Sequence, residues 1–152
     1  MELLVETVAI LKNKHNIEAV CTIIGGPVTD KDVEYEKSLK DLIIKKSLQD
    51  NIVWKGPLPL IQAIQILKTQ DVFVHFGNTG SLDKAVLDAM MCGVVTLSTN
   101  EAVKSLISNI DTECIIKDPE DAAEKIAKIY SMDPGHVILM RKNIRNYIIK
   151  IK

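Results

Sequence analysis

The stretch Asp71-Val72-Phe73-Val74-His75-Phe76-Gly77-Asn78-Thr79-Gly80-Ser81-Leu82-Asp83-Lys84-Ala85-Val86-Leu87-Asp88-Ala89-Met90-Met91-Cys92-Gly93-Val94-Val95-Thr96-Leu97 decides the fold. Val72 to His75 is a short, mostly apolar run followed by a glycine-rich turn. That pattern is a strand buried on both faces, ending in a loop. A helix over about 82–92 follows, and Gly93 is placed to close it. Val94 to Leu97 is then a second apolar strand. Strand, helix and strand in this order form the unit from which parallel sheets are built.

The same alternation extends in both directions. Leu4, Val8 and Leu11 recur at helical spacing and predict a helix over about 2–14. Glu18 to Ile24 reads as a strand stopped by Gly25-Gly26-Pro27. Tyr35, Leu39, Leu42 and Ile43 mark a helix over about 32–48. Ile52 to Trp54 is a short strand closed by Gly56-Pro57, and Leu60, Ile64 and Leu67 give a third helix. Beyond Leu97, Ser98 and Glu101 have capping-box spacing for a helix over about 101–108. Glu113 to Ile116 reads as a last strand. Asp118-Pro119 opens a helix to about Tyr130, and a final helix covers about 134–150. The expected fold is α/β, a Rossmann-like three-layer α/β/α domain with a parallel sheet. It occupies residues 1–152 as one unit, without repeats or linkers. A doubly wound unit normally begins with a strand, and this chain begins in a helix. The expectation is that it starts one strand late.

Composition narrows the function classes. The chain has 152 residues, 47% hydrophobic and 26% charged, close to the globular average. Lys plus Arg is 19 and Asp plus Glu is 20, a net charge of −1. That balance argues against a nucleic-acid partner, whose phosphates call for excess cations. Cys21, Cys92 and Cys114 are far apart, with no C-x-x-C spacing. They read as buried reduced thiols, not as a zinc site or disulfide framework. No cluster has metal-ligand spacing, so no metal is expected. No apolar stretch approaches a membrane span, and the start lacks signal-peptide features. The expected location is the cytoplasm, with at most a peripheral contact at the inner face of the membrane.

Open parallel sheets bind ligands outside the carboxyl ends of their strands. Those ends here are Gly25-Gly26-Pro27, Gly56-Pro57, the segment from His75 through Thr79 and Gly80 to Leu82, and Ser98-Thr99-Asn100. Glycine lets a backbone approach a ligand closely. The turn ending at Gly80-Ser81 feeds directly into a helix, whose N-terminal N–H groups suit a phosphate. Lys84 in the first turn of that helix opposes its dipole, and a nearby anion would explain it. The plainer reading pairs Lys84 with Asp88 at i,i+4, in the weaker orientation. His75 is either a ligand contact or a satisfied strand-end histidine.

The run from Gly80 to Gly93 resembles the donor-site helix of retaining, GT-B-fold glycosyltransferases of the large family 4 type. Ile23-Ile24-Gly25-Gly26-Pro27 is similar to that family's first glycine turn, and Asn51-Ile52-Val53-Trp54-Lys55-Gly56 to a strand and loop that follow it. Asp71 to His75 and Asp118-Pro119-Glu120-Asp121-Ala122-Ala123 match two further pieces in order and spacing. The resemblance covers nearly the whole chain. It implies the donor-binding half of an enzyme that moves a sugar from a nucleoside diphosphate to an acceptor hydroxyl. The nucleotide sugar is then a substrate, and no cofactor is required. By the same resemblance Ser81, Leu82 and the helix-start N–H groups take the diphosphate with help from Lys84. Asp88 takes the ribose, and the backbone near Gly56 to Leu58 takes the base. No catalytic residue is assigned. The family's second donor-site glutamate is aspartate here, and its first falls at Gly80. The other GT-B domain is implied as a missing or separate partner.

Two other readings stay open. One is a non-catalytic binding or interaction module derived from such an enzyme. The other is a receiver-like or flavodoxin-like domain, weakened by the missing acidic pair and by the glycine placement. Ser81 lacks the G-x-S-x-G elbow of a hydrolase. Met90, Met91 and Cys92 read as packing. In the last helix Arg141, Lys142, Arg145 and Lys150 interleave with Ile144, Ile148 and Ile149. Packing on the sheet is the main expectation for it, with an interfacial membrane contact as the alternative.

Overall fold

The computed structural model describes residues 1–77, 80–107 and 114–150. Its elements, in chain order, are α1 (Glu2–His15), β1 (Cys21–Ile23), α2 (Asp30–Lys45), β2 (Ile52–Trp54), α3 (Leu60–Lys68), β3 (Val72–His75), α4 (Lys84–Met91), β4 (Val95–Ser98), α5 (Glu101–Ile107), α6 (Pro119–Tyr130) and α7 (Pro134–Lys150). Strand and helix alternate as expected as far as α5, and every paired strand is parallel.

Local chemistry sets most boundaries. Thr29 and Asp32 form a reciprocal capping box at the start of α2. The carboxyl group of Asp32 lies below its usual range because the Thr29 hydroxyl and two backbone N–H groups donate to it. Asp118 caps α6, with Pro119 in its first turn. Gly93 follows α4 with φ +69°. Its N–H reaches the Met90 carbonyl, and the next N–H reaches Ala89, which closes the helix in a Schellman arrangement. A Cβ on Gly93 would also lie 3.4 Å from the Arg141 carbonyl, because α7 passes close by.

Three expectations are corrected. The first strand begins at Cys21, not Glu18. The Ala19 N–H turns back to the Ile17 carbonyl, and Val20 is 62% exposed. The cap of α5 is Asn100 instead of Ser98, because Ser98 is still the last residue of β4. The strand expected over Glu113 to Ile116 is reduced to a single parallel bridge between Ser98 and Ile115; Glu113 lies outside the described residues. Of the cysteines, Cys114 is buried, while Cys21 and Cys92 are half-buried; all three are free. Burial pushes the Cys21 thiol up to about 11.

The parallel sheet is divided into two hydrogen-bonded pairs, β1 with β2 and β3 with β4. Each pair has its own apolar cluster. Val5, Val8, Leu39, Leu48 and Ile52 centre the first. Val86, Met90, Leu97, Ile116 and Ile144 centre the second. Helices join the halves. Tyr35 and Lys46 of the α2 region reach Glu2 and Glu6 of α1. On its other side α1 packs along α6, with Lys14 bonded to Glu120. In the second helix layer α4 packs against α3 and α7.

The division leaves two open strand edges. In β1 the backbone groups of Cys21, Ile23 and Gly25 bond to the β2 side. Those of Thr22 and Ile24 therefore point to the opposite edge. In β3 the His75 carbonyl accepts the Thr99 N–H, so Val72 and Val74 point away from β4. No described residue pairs with either edge.

Candidate functional site

All four strands end in loops at one kind of position, beyond their carboxyl ends, and these loops form two clusters. In the first, the Gly25 N–H donates to the Gly56 carbonyl at 2.9 Å. The Trp54 indole N–H donates to the Gly25 carbonyl at 3.1 Å. Gly26 lies against the Pro57 ring, 3.2 Å from where a Cβ would stand. Gly25, Gly26, Gly56 and Pro57 are therefore brought together as expected. Leu58 is half-buried, just before the start of α3. Sequence reasoning misses Trp54 as a member. Its indole N–H, an obligatory donor in a strand that ends at a glycine, is the available signal.

The second cluster surrounds the β3–α4 turn. Asn100 is fully buried. Its Nδ2 donates to the Ser81 carbonyl at 2.8 Å, while its Oδ1 accepts the Ala102 N–H at 2.9 Å. Thr99 bridges Gly77 through its hydroxyl, 3.1 Å from both the N–H and the carbonyl. One buried amide and one hydroxyl from the β4 end thus hold both limbs of the turn. Gly80 lies within it at φ +70°, and Gly80 and Ser81 are exposed. Thr79 lies outside the described residues.

His75 sits beneath this turn, 16% exposed. Its Nδ1 is 3.1 Å from the Ser98 hydroxyl, and its Nε2 is 3.4 Å from Asp83 Oδ2. Both ring nitrogens are engaged within the protein, so contact with a ligand would require one of them to change partner. The ring also explains Gly77. A Cβ there would stand 2.5 Å from His75 Cε1, closer than any real contact.

The start of α4 differs from expectation in one respect. The helix begins at Lys84, with Asp83 as its N-cap, accepting the Ala85 N–H at 2.9 Å. One of the N–H groups expected to meet a phosphate is therefore taken by a carboxylate. Asp83 also supplies the negative charge that balances Lys84 against the helix dipole. The cap was legible, since an aspartate directly before an apolar helix is a standard start signal. Leu82 is half-buried, packed at the edge of the second apolar cluster. Lys84 is exposed, and the plainer pairing with Asp88 does not form; Lys84 makes no ion pair among the described residues. Asp88 is half-buried on the same face, one helical turn later.

Electrostatically, the start of α4 offers a cation, Lys84, and a carboxylate, Asp88, neither of them in an ion pair among the described residues. Among the described residues no group of three His, Cys, Asp or Glu side chains could hold a metal ion. No helix among them is long and apolar enough to cross a membrane. No hydrogen bond joins the two loop clusters among the described residues.

Comparison with known proteins places these features in context. The family model described as Glycosyl transferases group 1 matches residues 1–150. A curated relative, one of the subunits of phosphatidylinositol N-acetylglucosaminyltransferase of Arabidopsis thaliana, is 29% identical over 113 residues, 74% of this chain. The chain spans about a quarter, 24%, of that relative's length. Among solved structures, the catalytic domain of cholesterol-α-glucosyltransferase from Helicobacter pylori superposes with a TM-score of 0.75 at 20% identity. The match covers 99% of this chain and 89% of that one, and shows a shared fold.

Proposed function

This chain belongs to the glycosyl transferases group 1 family, and from that membership we propose that it is the donor-binding half of a retaining glycosyltransferase. Its substrate on this reading is a nucleoside diphosphate sugar, and the sugar passes to an acceptor hydroxyl. The observation that carries the reading is the face of α4. Lys84 and Asp88 stand one turn apart there, about 6 Å along the axis, and neither is spent in an ion pair among the described residues. That separation suits a diphosphate at Lys84 and the ribose hydroxyls at Asp88. The exposed turn at Gly80 completes the phosphate site, since Asp83 already occupies the Ala85 N–H. Gly25, Gly26 and the Gly56–Leu58 segment take the remainder of the donor. This half positions the donor and stabilises the leaving diphosphate.

The open edges fit the same proposal. An extended strand from outside residues 1–152 would pair with Thr22 and Ile24 on one side and with Val72 and Val74 on the other. The α2–α1–α6 layer already spans the break, with α1 between its neighbours. The second GT-B domain would then supply the acceptor site, consistent with a curated relative about three times as long. A non-catalytic binding module remains the second reading, favoured by glycine at position 80 and by the shorter carboxylate of Asp88.

Lys84→Ala tests the donor assignment. The side chain is exposed, so folding is unaffected. A charged hydrogen bond of about 1.5–3 kcal/mol is lost, which raises the dissociation constant of the nucleotide sugar roughly 10- to 100-fold by calorimetry. An unchanged constant removes Lys84 from the site.

A further inference from the structure

The helix α7 has two unlike faces. Met140, Ile144 and Ile148 are buried in the second apolar cluster, where α7 packs on α4 and β4. The opposite face is not apolar alone. Ile138, Leu139 and Ile149 are 66%, 55% and 51% exposed. Lys142 and Arg145 share that face with them at helical spacing, and both are exposed. Across its length α7 carries Arg141, Lys142, Arg145 and Lys150, and no carboxylate. None of these cations forms an ion pair among the described residues. In a chain of net charge −1, this is a strong local segregation of charge.

The cations also share a recess. Gly93, Arg141, Lys142, Arg145, Asn146 and Ile149 line an open groove of about 540 Å³. Arg141 is fixed at its wall, its Nε donating to the Gly93 carbonyl at 2.7 Å. A groove walled by three cations beside exposed aliphatic side chains matches one kind of surface in both respects. Anionic headgroups would meet the cations, and the acyl boundary would take the aliphatic side chains. A nucleic acid would satisfy the charge but leave Ile138, Leu139 and Ile149 in water, with no aromatic residue on that face to stack a base.

We propose that the outer face of α7 docks this chain on an anionic lipid bilayer. The helix lies in the plane of the interface, with its buried face still on the domain core. The contact is electrostatic in reach and apolar in depth, so it weakens as salt rises.

Co-sedimentation with vesicles tests this. The chain is mixed with phosphatidylcholine vesicles and with vesicles in which phosphatidylserine replaces part of that lipid. The partition coefficient is at least about tenfold higher on the anionic vesicles and falls with added salt. Lys142→Gln with Arg145→Gln lowers it about 30-fold. Ile138→Ser with Ile149→Ser lowers it at least about tenfold on the same vesicles. All four side chains are exposed, and unchanged melting of the variants establishes that the fold is kept. Equal binding to both vesicle types, no binding to either, or variants that bind as the parent does, each overturns the proposal.

Discussion

Asn100→Ala destabilises the chain by about 2–4 kcal/mol and loosens its hold on a nucleotide sugar. Two effects add. The Ala102 N–H at the start of α5 loses its cap, worth about 1 kcal/mol. The Ser81 carbonyl loses its buried donor, at about 1–3 kcal/mol. The second loss falls on the β3–α4 turn itself, so the turn gains freedom that a ligand must remove again. Asn100→Asp separates the two contributions. It keeps the acceptor for Ala102 but sets a carboxylate against the Ser81 carbonyl. Urea denaturation should therefore show a cap retained, while donor affinity falls further than with alanine. Donor affinity unchanged in both variants would show that the turn is not part of the site.

Leu97→Ala has the largest expected effect on stability. Leu97 is fully buried in β4, in register with Val74 of β3. It belongs to the cluster formed by Val86, Met90, Ile116 and Ile144, contributed by α4, α7 and the segment after α5. Helices from both layers pack against that cluster, so the surroundings have little freedom to collapse into a void. The expected loss is about 2–5 kcal/mol. Domains of this kind are stable by only about 5–15 kcal/mol, and at this chain length the melting midpoint drops by roughly 4–20 °C. Leu139→Ala is the matched control. Leu139 is 55% exposed, and its loss should stay within about 0.5 kcal/mol. A Leu97→Ala variant that melts like the control would contradict the assignment of β4 to the core.

Much of this arrangement was legible because parallel sheets write their pattern plainly. Short apolar runs located all four strands, three of them followed by a glycine-containing loop, and helical spacing located the helices between them. The strand ends then named the loops of the candidate site, including Gly25, Gly56 and Gly80. Resemblance to a known family carried the roles proposed for Lys84 and Asp88, which spacing alone left open. What escaped reading depended on burial or on competition between neighbours. Asn100 is polar and looks like a loop residue; only its complete burial shows that it anchors Ser81. Ser98 and Asn100 both have capping side chains, and the extent of β4 decides between them. Val20 has the composition of a strand, yet Ala19 turns back on Ile17 and leaves it exposed. The division of the sheet is invisible in composition, because β1 and β3 are each apolar enough to sit in the middle of one. Pairing is a property of partners, not of a strand's own residues.

On the proposed function, the loops at the strand ends form a nucleotide-sugar site. A thermal-shift titration of the purified chain with UDP, GDP, ADP and their sugar conjugates tests it most directly. A ligand at 100 times its dissociation constant adds about 2.7 kcal/mol, a rise of roughly 5–10 °C for a chain of this length. The expected result is a selective rise with one nucleotide family, reduced in Lys84→Ala. A cooperatively melting sample whose midpoint stays fixed with every nucleotide and conjugate would contradict the claim.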